Sequence, residues 1–218
     1  SKTTVVGDTR FDSVIELANN WQSNSHIEQW LNGASKVIVA GSTWPSDEEE
    51  IVHFTKANPM VKWIIAPHHV DVDSMKDTQK LFSNPRLYSD LANQMDAAPA
   101  LPNVLIIDNV GMLKYLYKYG TICYVGGGFT GNGIHNILEA AVYGSPVVHG
   151  PECSKFHEAQ GLLNAGASII INSALELEKE LTRLLNNASI IAEMGAASST
   201  YVHSQVGATA CIVQHIQE

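Results

Sequence analysis

The chain is short of positive charge. Its 218 residues carry 13 Lys plus Arg against 22 Asp plus Glu, a formal net charge of −9. A general nucleic-acid binder needs a basic surface, so that class is set aside, while a small local anion site stays open. Cysteine is scarce. Cys123, Cys153 and Cys211 include no CxxC pair, and an odd, unframed count suits a reducing compartment rather than a disulfide scaffold. No run approaches the roughly 20 apolar residues of a membrane span and no signal peptide is visible, so this chain is expected to be soluble. Nine histidines are present, but they lack HxxxH spacing and partnering cysteines, and no metal site is expected. A Ser-His-Asp arrangement and a nucleophilic cysteine signature are missing too.

What the chain does have is a regular alternation. Apolar residues make up 45% of it, enough for a substantial core. Short apolar runs at 4–6, 36–40, 62–66, 104–107, 121–125, 145–148 and 168–171 read as strands. Between them, amphipathic patterns at 11–19, 47–57, 112–118, 134–143, 156–164 and 175–186 read as helices. Ser46 is a plausible N-cap for the second of these, and Gly144 a good C-cap for the fourth. Residues 83–103, with Pro85, Pro99 and Pro102, read as an irregular excursion. The tail from 188 to 218 reads as helical with breaks near Gly195 and Gly207. Continuous apolar strands alternating with helices predict an α/β fold: a Rossmann-like parallel sheet with helices on both faces, in a single domain over residues 1–218.

The most informative stretch runs from Val125 to Glu139 and carries Gly126, Gly127, Gly128, Gly131 and Gly133 between a strand and a predicted helix start. Glycines let backbone N–H groups approach a ligand, and a helix start behind them suits a phosphate. His135, Asn136 and Glu139 are expected on the first turns of that helix, with Glu139 accepting hydrogen bonds from a ribose diol. The order is not GxGxxG after an N-terminal strand, and no acidic residue is spaced for a dinucleotide ribose, which argues against NAD. Open α/β sheets bind ligands beyond the carboxyl ends of their strands. Ser42 and Thr43, Pro67 and His68, and Gly111 and Met112 follow other predicted strands and join the candidate list. Ser42 and Thr43 are equally readable as turn-capping residues. Asp71 and Asp73 read as solvated loop carboxylates.

These residues carry a resemblance. Gly7-Asp8-Thr9-Arg10-Phe11-Asp12, Gly41-Ser42-Thr43-Trp44-Pro45 with Asp47-Glu48-Glu49, Ala66-Pro67-His68-His69, Asp108-Asn109-Val110-Gly111-Met112-Leu113, the glycine block ending His135-Asn136-Ile137-Leu138-Glu139, and Gly150-Pro151-Glu152-Cys153-Ser154-Lys155-Phe156 stand in order over nearly the whole chain. Together they resemble the C-terminal, donor-binding half of the 3-deoxy-D-manno-octulosonic acid (Kdo) transferases, two-domain GT-B glycosyltransferases. The Gly-Gly-Gly-Phe form looks like that of Bacteroides-type members. The resemblance implies CMP-Kdo as donor. It places CMP contacts at Pro67, His68, Gly111, Met112, Leu113, Asn136, Ile137, Leu138 and Glu139; the reading of the glycine loop and strand ends adds Gly127, Gly128, Asn132 and His135 as donor-site candidates, with Ser42 and Thr43 as further possibilities. His68 stands where the family often has arginine, and Met112 where it often has glutamate. No cofactor or metal is implied beyond the substrate.

The general base is expected in an N-terminal acceptor domain absent from this chain. That domain would also receive the lipid A precursor and provide any membrane association, at the cytoplasmic face of the inner membrane. The chain opens at Ser1 inside a strand-like segment, as expected of a piece excised from a longer protein, and alone it is expected to be inactive. Two other readings stay open: a UDP-sugar-using GT-B transferase or epimerase domain, and a non-catalytic nucleotide-binding module.

Overall fold

A computed structural model describes residue 3 and residues 5–93 and 102–217. Among them, seven strands form one parallel sheet: β1 (Val37–Thr43), β2 (Lys62–Pro67), β3 (Arg86–Leu87), β4 (Val104–Ile106), β5 (Ile122–Val125), β6 (Val147–His149) and β7 (Ser168–Ile170), in the order β3-β4-β2-β1-β5-β6-β7. The helices are α1 (Thr9–Asn19), α2 (Ser25–Leu31), α3 (Pro45–Ala57), α4 (Val72–Leu81), α5 (Tyr88–Ala92), α6 (Leu113–Leu116), α7 (Leu138–Ala141), α8 (His157–Asn164), α9 (Ala174–Leu185), α10 (Ala188–Ser204) and α11 (Ala208–Gln217).

The central strands carry consecutive apolar residues, with polar ones at their ends, because both faces are covered. Val37 and Val39 of β1 join one core cluster with Ile64, Leu105 and Cys123, while Ile38 and Ala40 join the opposite cluster with Trp63, Ile65 and Tyr124. Burying each such aliphatic side chain is worth about 1.5–3 kcal/mol. The chain builds outward from β1 to β2 and the β4–β3 edge, then returns to the other side of β1 with β5, β6 and β7. The sheet therefore has its topological switch between β1 and β5, and a ligand crevice belongs at their carboxyl ends.

Several elements differ from the sequence expectation. Val5 and Val6 form no strand, and Thr4 lies outside the described residues. α2 and α4 were not expected. Asn24 caps α2 by accepting from His26 N and Ile27 N, and Asp71 caps α4 by accepting from Ser74 N. Asp71 is exposed, as expected of a solvated loop carboxylate, and in addition caps this helix, within which Asp73 is exposed. The 83–103 excursion contains β3 and α5, and its residues 94–101 lie outside the described set. α3 starts two residues earlier than Ser46 would set it, with Pro45 at its first position and Asp47 accepting from Trp44 N. The predicted helix at 112–118 divides into α6 and a 3₁₀ turn, Tyr117–Tyr119. Gly195 does not break α10. A Cβ there would lie 2.3 Å from Gly144 O, so it marks a close crossing of helix and loop. No helix among the described residues is long and apolar enough to cross a membrane.

Candidate functional site

The β1 and β5 ends meet through backbone. Gly41 pairs with Val125 in register, and the chain beyond each strand runs against the other. A Cβ on Gly126 would sit 2.3 Å from Ser42 O, and one on Gly128 would sit 2.6 Å from Gly150 Cα. Gly133, at φ +86°, lies under Phe156 and Glu152 O. These glycines first serve to let three strand-end loops touch main chain to main chain. Gly131 alone among them faces open space.

Asp47 ties the arrangement together. It is fully buried, accepts from Trp44 N and Gly127 N at 2.9 Å each, and accepts from the Tyr124 hydroxyl at 2.7 Å. One carboxylate therefore holds the β1–α3 turn, the glycine loop and strand β5. Charge-assisted bonds of this kind repay a buried carboxylate that would otherwise be costly.

The predicted helix start at Ile134 is not formed. Ile134 N donates to Glu152 O and His135 N to Gly126 O, so the chain stays irregular until α7 begins at Leu138. His135 and Asn136 consequently sit in a loop, and the expected anion cradle at a helix N-terminus there is replaced by side chains. Ile137 and Leu138 have no exposed surface and belong to the core, so they offer no side-chain contact to a ligand. Thr43 is buried too. Its hydroxyl donates to Glu48 at 2.8 Å, which makes it a structural partner rather than a ligand donor. Ser42 takes a left-handed backbone, φ +53°, at the turn.

Around this frame the side chains converge. Trp44 stacks on His68 with ring centroids 4.6 Å apart, and His68 stacks on His135 at 4.5 Å. Trp44 Nε1 donates to His135 Nε2 at 3.0 Å, and His69 stands edge-on to Trp44 and His68. Partial burial and the neighbouring His69 lower the pKa of His68; burial and His68 lower that of His135, against an opposing pull from Asp47. Glu139 is half-buried and accepts from Asn136 Nδ2 at 3.1 Å. Burial raises its pKa, partly offset by that hydrogen bond and by Lys114. Lys114 adjoins Leu113 in α6, so the Gly111–Met112–Leu113 turn, with Gly111 at φ +95°, comes beside Glu139. Asn132 is exposed on the loop. Pro67 closes β2 and leads into His68.

The ensemble is an open shelf. The glycine loop encloses only about 10 Å³ against Ser154, Lys155 and Phe156. A larger, acidic cavity of about 350 Å³ is lined by Thr43, Pro67 and His69 together with Glu48, Glu49, Asp73 and Asp77. Among the described residues no group of three or more His, Cys, Asp or Glu side chains is placed to hold a metal. Trp44, Asp47 and Lys114 were not foreseen as site residues. Trp44 directly follows β1 and Asp47 lies in the first turn of α3, but their roles depend on His135 and Gly127, which are far away in the chain.

No protein-family model matches the chain. It is 34% identical over 159 residues to the 3-deoxy-D-manno-octulosonic acid transferase of Rickettsia prowazekii, an alignment covering 69% of this chain and 33% of that protein. The chain thus spans about a third of that relative's length. Among solved structures it is similar to the C-terminal CMP-Kdo binding domain of WaaA from Acinetobacter baumannii, with a TM-score of 0.68 and 21% identity over 88% of this chain and 98% of that one. A putative UDP-N-acetylglucosamine 2-epimerase from Listeria monocytogenes shares the fold at a TM-score of 0.62 and 14% identity, over 98% of this chain and 53% of that one. The ordered strand-end motifs, the parallel GT-B-type sheet and these likenesses agree: the chain belongs to the 3-deoxy-D-manno-octulosonic acid transferase family.

Proposed function

We propose that this chain is the donor-binding domain of a glycosyltransferase that moves Kdo from CMP-Kdo to a lipid A precursor in lipopolysaccharide core biosynthesis. The observation that carries the reading is the convergence of His68, His135 and the Asn136–Glu139 pair at the β1/β5 switch of a chain in this family. Glu139 binds the ribose diol. The Gly111–Leu113 turn and the backbone of Gly127, Gly128 and Asn132 border the nucleotide, with Pro67 placing His68 against the phosphate. Ile137 and Leu138 contribute as the packed floor that fixes Asn136 and Glu139.

In the reaction so proposed, a base outside this chain removes the acceptor hydroxyl's proton and the oxygen attacks the anomeric carbon. The bond from that carbon to the phosphate oxygen breaks, and CMP leaves with one more negative charge than it held in the donor. His68 offsets that charge by taking up a proton, and the His135 N–H donates to it. This scheme calls for no resident cofactor or metal. The acceptor site, and any association with the inner membrane at its cytoplasmic face, are assigned to the part of the protein beyond this chain.

Isothermal titration tests the donor. CMP is expected to bind in preference to UDP, and a clear preference for UDP would move the reading to a UDP-sugar transferase or epimerase domain. The chain alone is expected to transfer no Kdo. Turnover of CMP-Kdo and a lipid A precursor by this chain in isolation would show that the base lies within it.

A further inference from the structure

The hydrogen bond between Trp44 and His135 has a chemical direction. An indole N–H can only donate, so His135 Nε2, 3.0 Å away, must be bare. A neutral imidazole with a bare Nε2 carries its hydrogen on Nδ1. The two rings are 13° from parallel with centroids 6.4 Å apart, the side-by-side geometry of an in-plane hydrogen bond. His68 lies over this pair, 17° from the plane of Trp44 and 28° from that of His135. Among the described residues nothing is bonded to His135 Nδ1.

We propose that Trp44 is a positioning residue that locks His135 in the Nδ1–H tautomer, so that His135 meets an anionic ligand as a neutral N–H donor. The groups facing His135 are Trp44 from the β1–α3 turn, His68 from the end of β2 and Asp47 from α3. Protonation at Nε2 would break the bond to Trp44 and set a cation against His68; only Asp47 favours it. The two stacked histidines thereby divide the work. His135 is a fixed donor, and His68 is left as the ring free to gain a proton when phosphate arrives. The role toward an anion rests on the donor-site reading above, whereas the tautomer does not.

Nitrogen-15 NMR of the histidine rings, in the chain alone and with CMP, tests this directly. In the wild type His135 is expected as the Nδ1–H form at neutral pH. Trp44→Phe keeps an aromatic ring under His68 but removes the donor, and His135 should shift toward the Nε2–H form favoured in water. CMP affinity should fall about two- to ten-fold, the range of one lost neutral hydrogen bond. A wild-type His135 found as Nε2–H or as a cation would overturn the proposal, as would a Trp44→Phe protein that retains Nδ1–H. A tautomer that shifts without change in CMP affinity would overturn the role toward the ligand. If the wild type shows the expected tautomer but binds no CMP, the donor-site reading fails together with the ligand role, and the lock stands. Should Trp44→Phe not fold, the wild-type ring signature and its response to CMP decide the matter.

Discussion

At the scale of single residues, Glu139 and His68 make different demands on a ligand. Glu139 is a half-buried carboxylate oriented by Asn136. Glu139→Gln should weaken CMP binding by about ten- to a hundred-fold, the value of one to two charge-assisted hydrogen bonds, with little change in thermal stability. His68 stands below its ordinary pKa in the empty site, and a bound phosphate raises it. Binding therefore takes up a proton. CMP affinity should rise as pH falls from about 8.5 to 6.5, a window above the phosphate's own titration near about 6, and His68→Gln should flatten the profile. A flat wild-type profile by calorimetry would assign the phosphate to neutral donors alone. Glu139 and His68 were both legible in the sequence as candidates, from their place beside strand-end motifs. Trp44 and Asp47 were not, because their partners lie 91 and 80 residues further along the chain.

At the scale of elements, the strands were legible because a parallel sheet covered on both faces writes itself as uninterrupted apolar runs. α2 and α4 were harder. Seven and ten residues long, they announce themselves mainly by Asn24 and Asp71, cap residues that read equally well as loop. The sequence of the glycine loop predicts a ligand cradle followed by a helix, and the structure separates those two features. Its glycines allow backbone contact with the β1–α3 turn and with Gly150, while the irregular segment after it delivers His135 and Asn136. This division can be tested with two alanines. Gly128→Ala places a Cβ 2.6 Å from Gly150 Cα and should destabilise the domain by about 1–3 kcal/mol in urea denaturation and weaken CMP binding. Gly131→Ala meets nothing within 4 Å and should change stability by less than about 0.5 kcal/mol. Equal effects would mean that the loop is shaped by something other than these crossings.

At the scale of the whole molecule, stability should depend on pH through a buried residue beside the glycine loop, paired in register with Val125. His149, at the end of β6, has no exposed surface, and its Nε2 has no partner. Burial lowers its pKa below the ordinary value, so folding favours the neutral ring. Its contribution is complete above the unfolded value of about 6.5 and is lost as pH falls through the folded value. The urea midpoint of the wild type should drop between about pH 7.5 and 5 by more than that of His149→Leu. The stacked Trp44 gives the molecule a further property. Trp30 and Trp63 are wholly buried, and Trp21 is bonded to Tyr115 O, so three of the four indoles are held away from the histidine stack. An excited indole gives up an electron readily, and an imidazolium ring stacked on it accepts one. Proton uptake by His68 should therefore dim one tryptophan in four, making occupancy of the shelf visible as a loss of light without any added label.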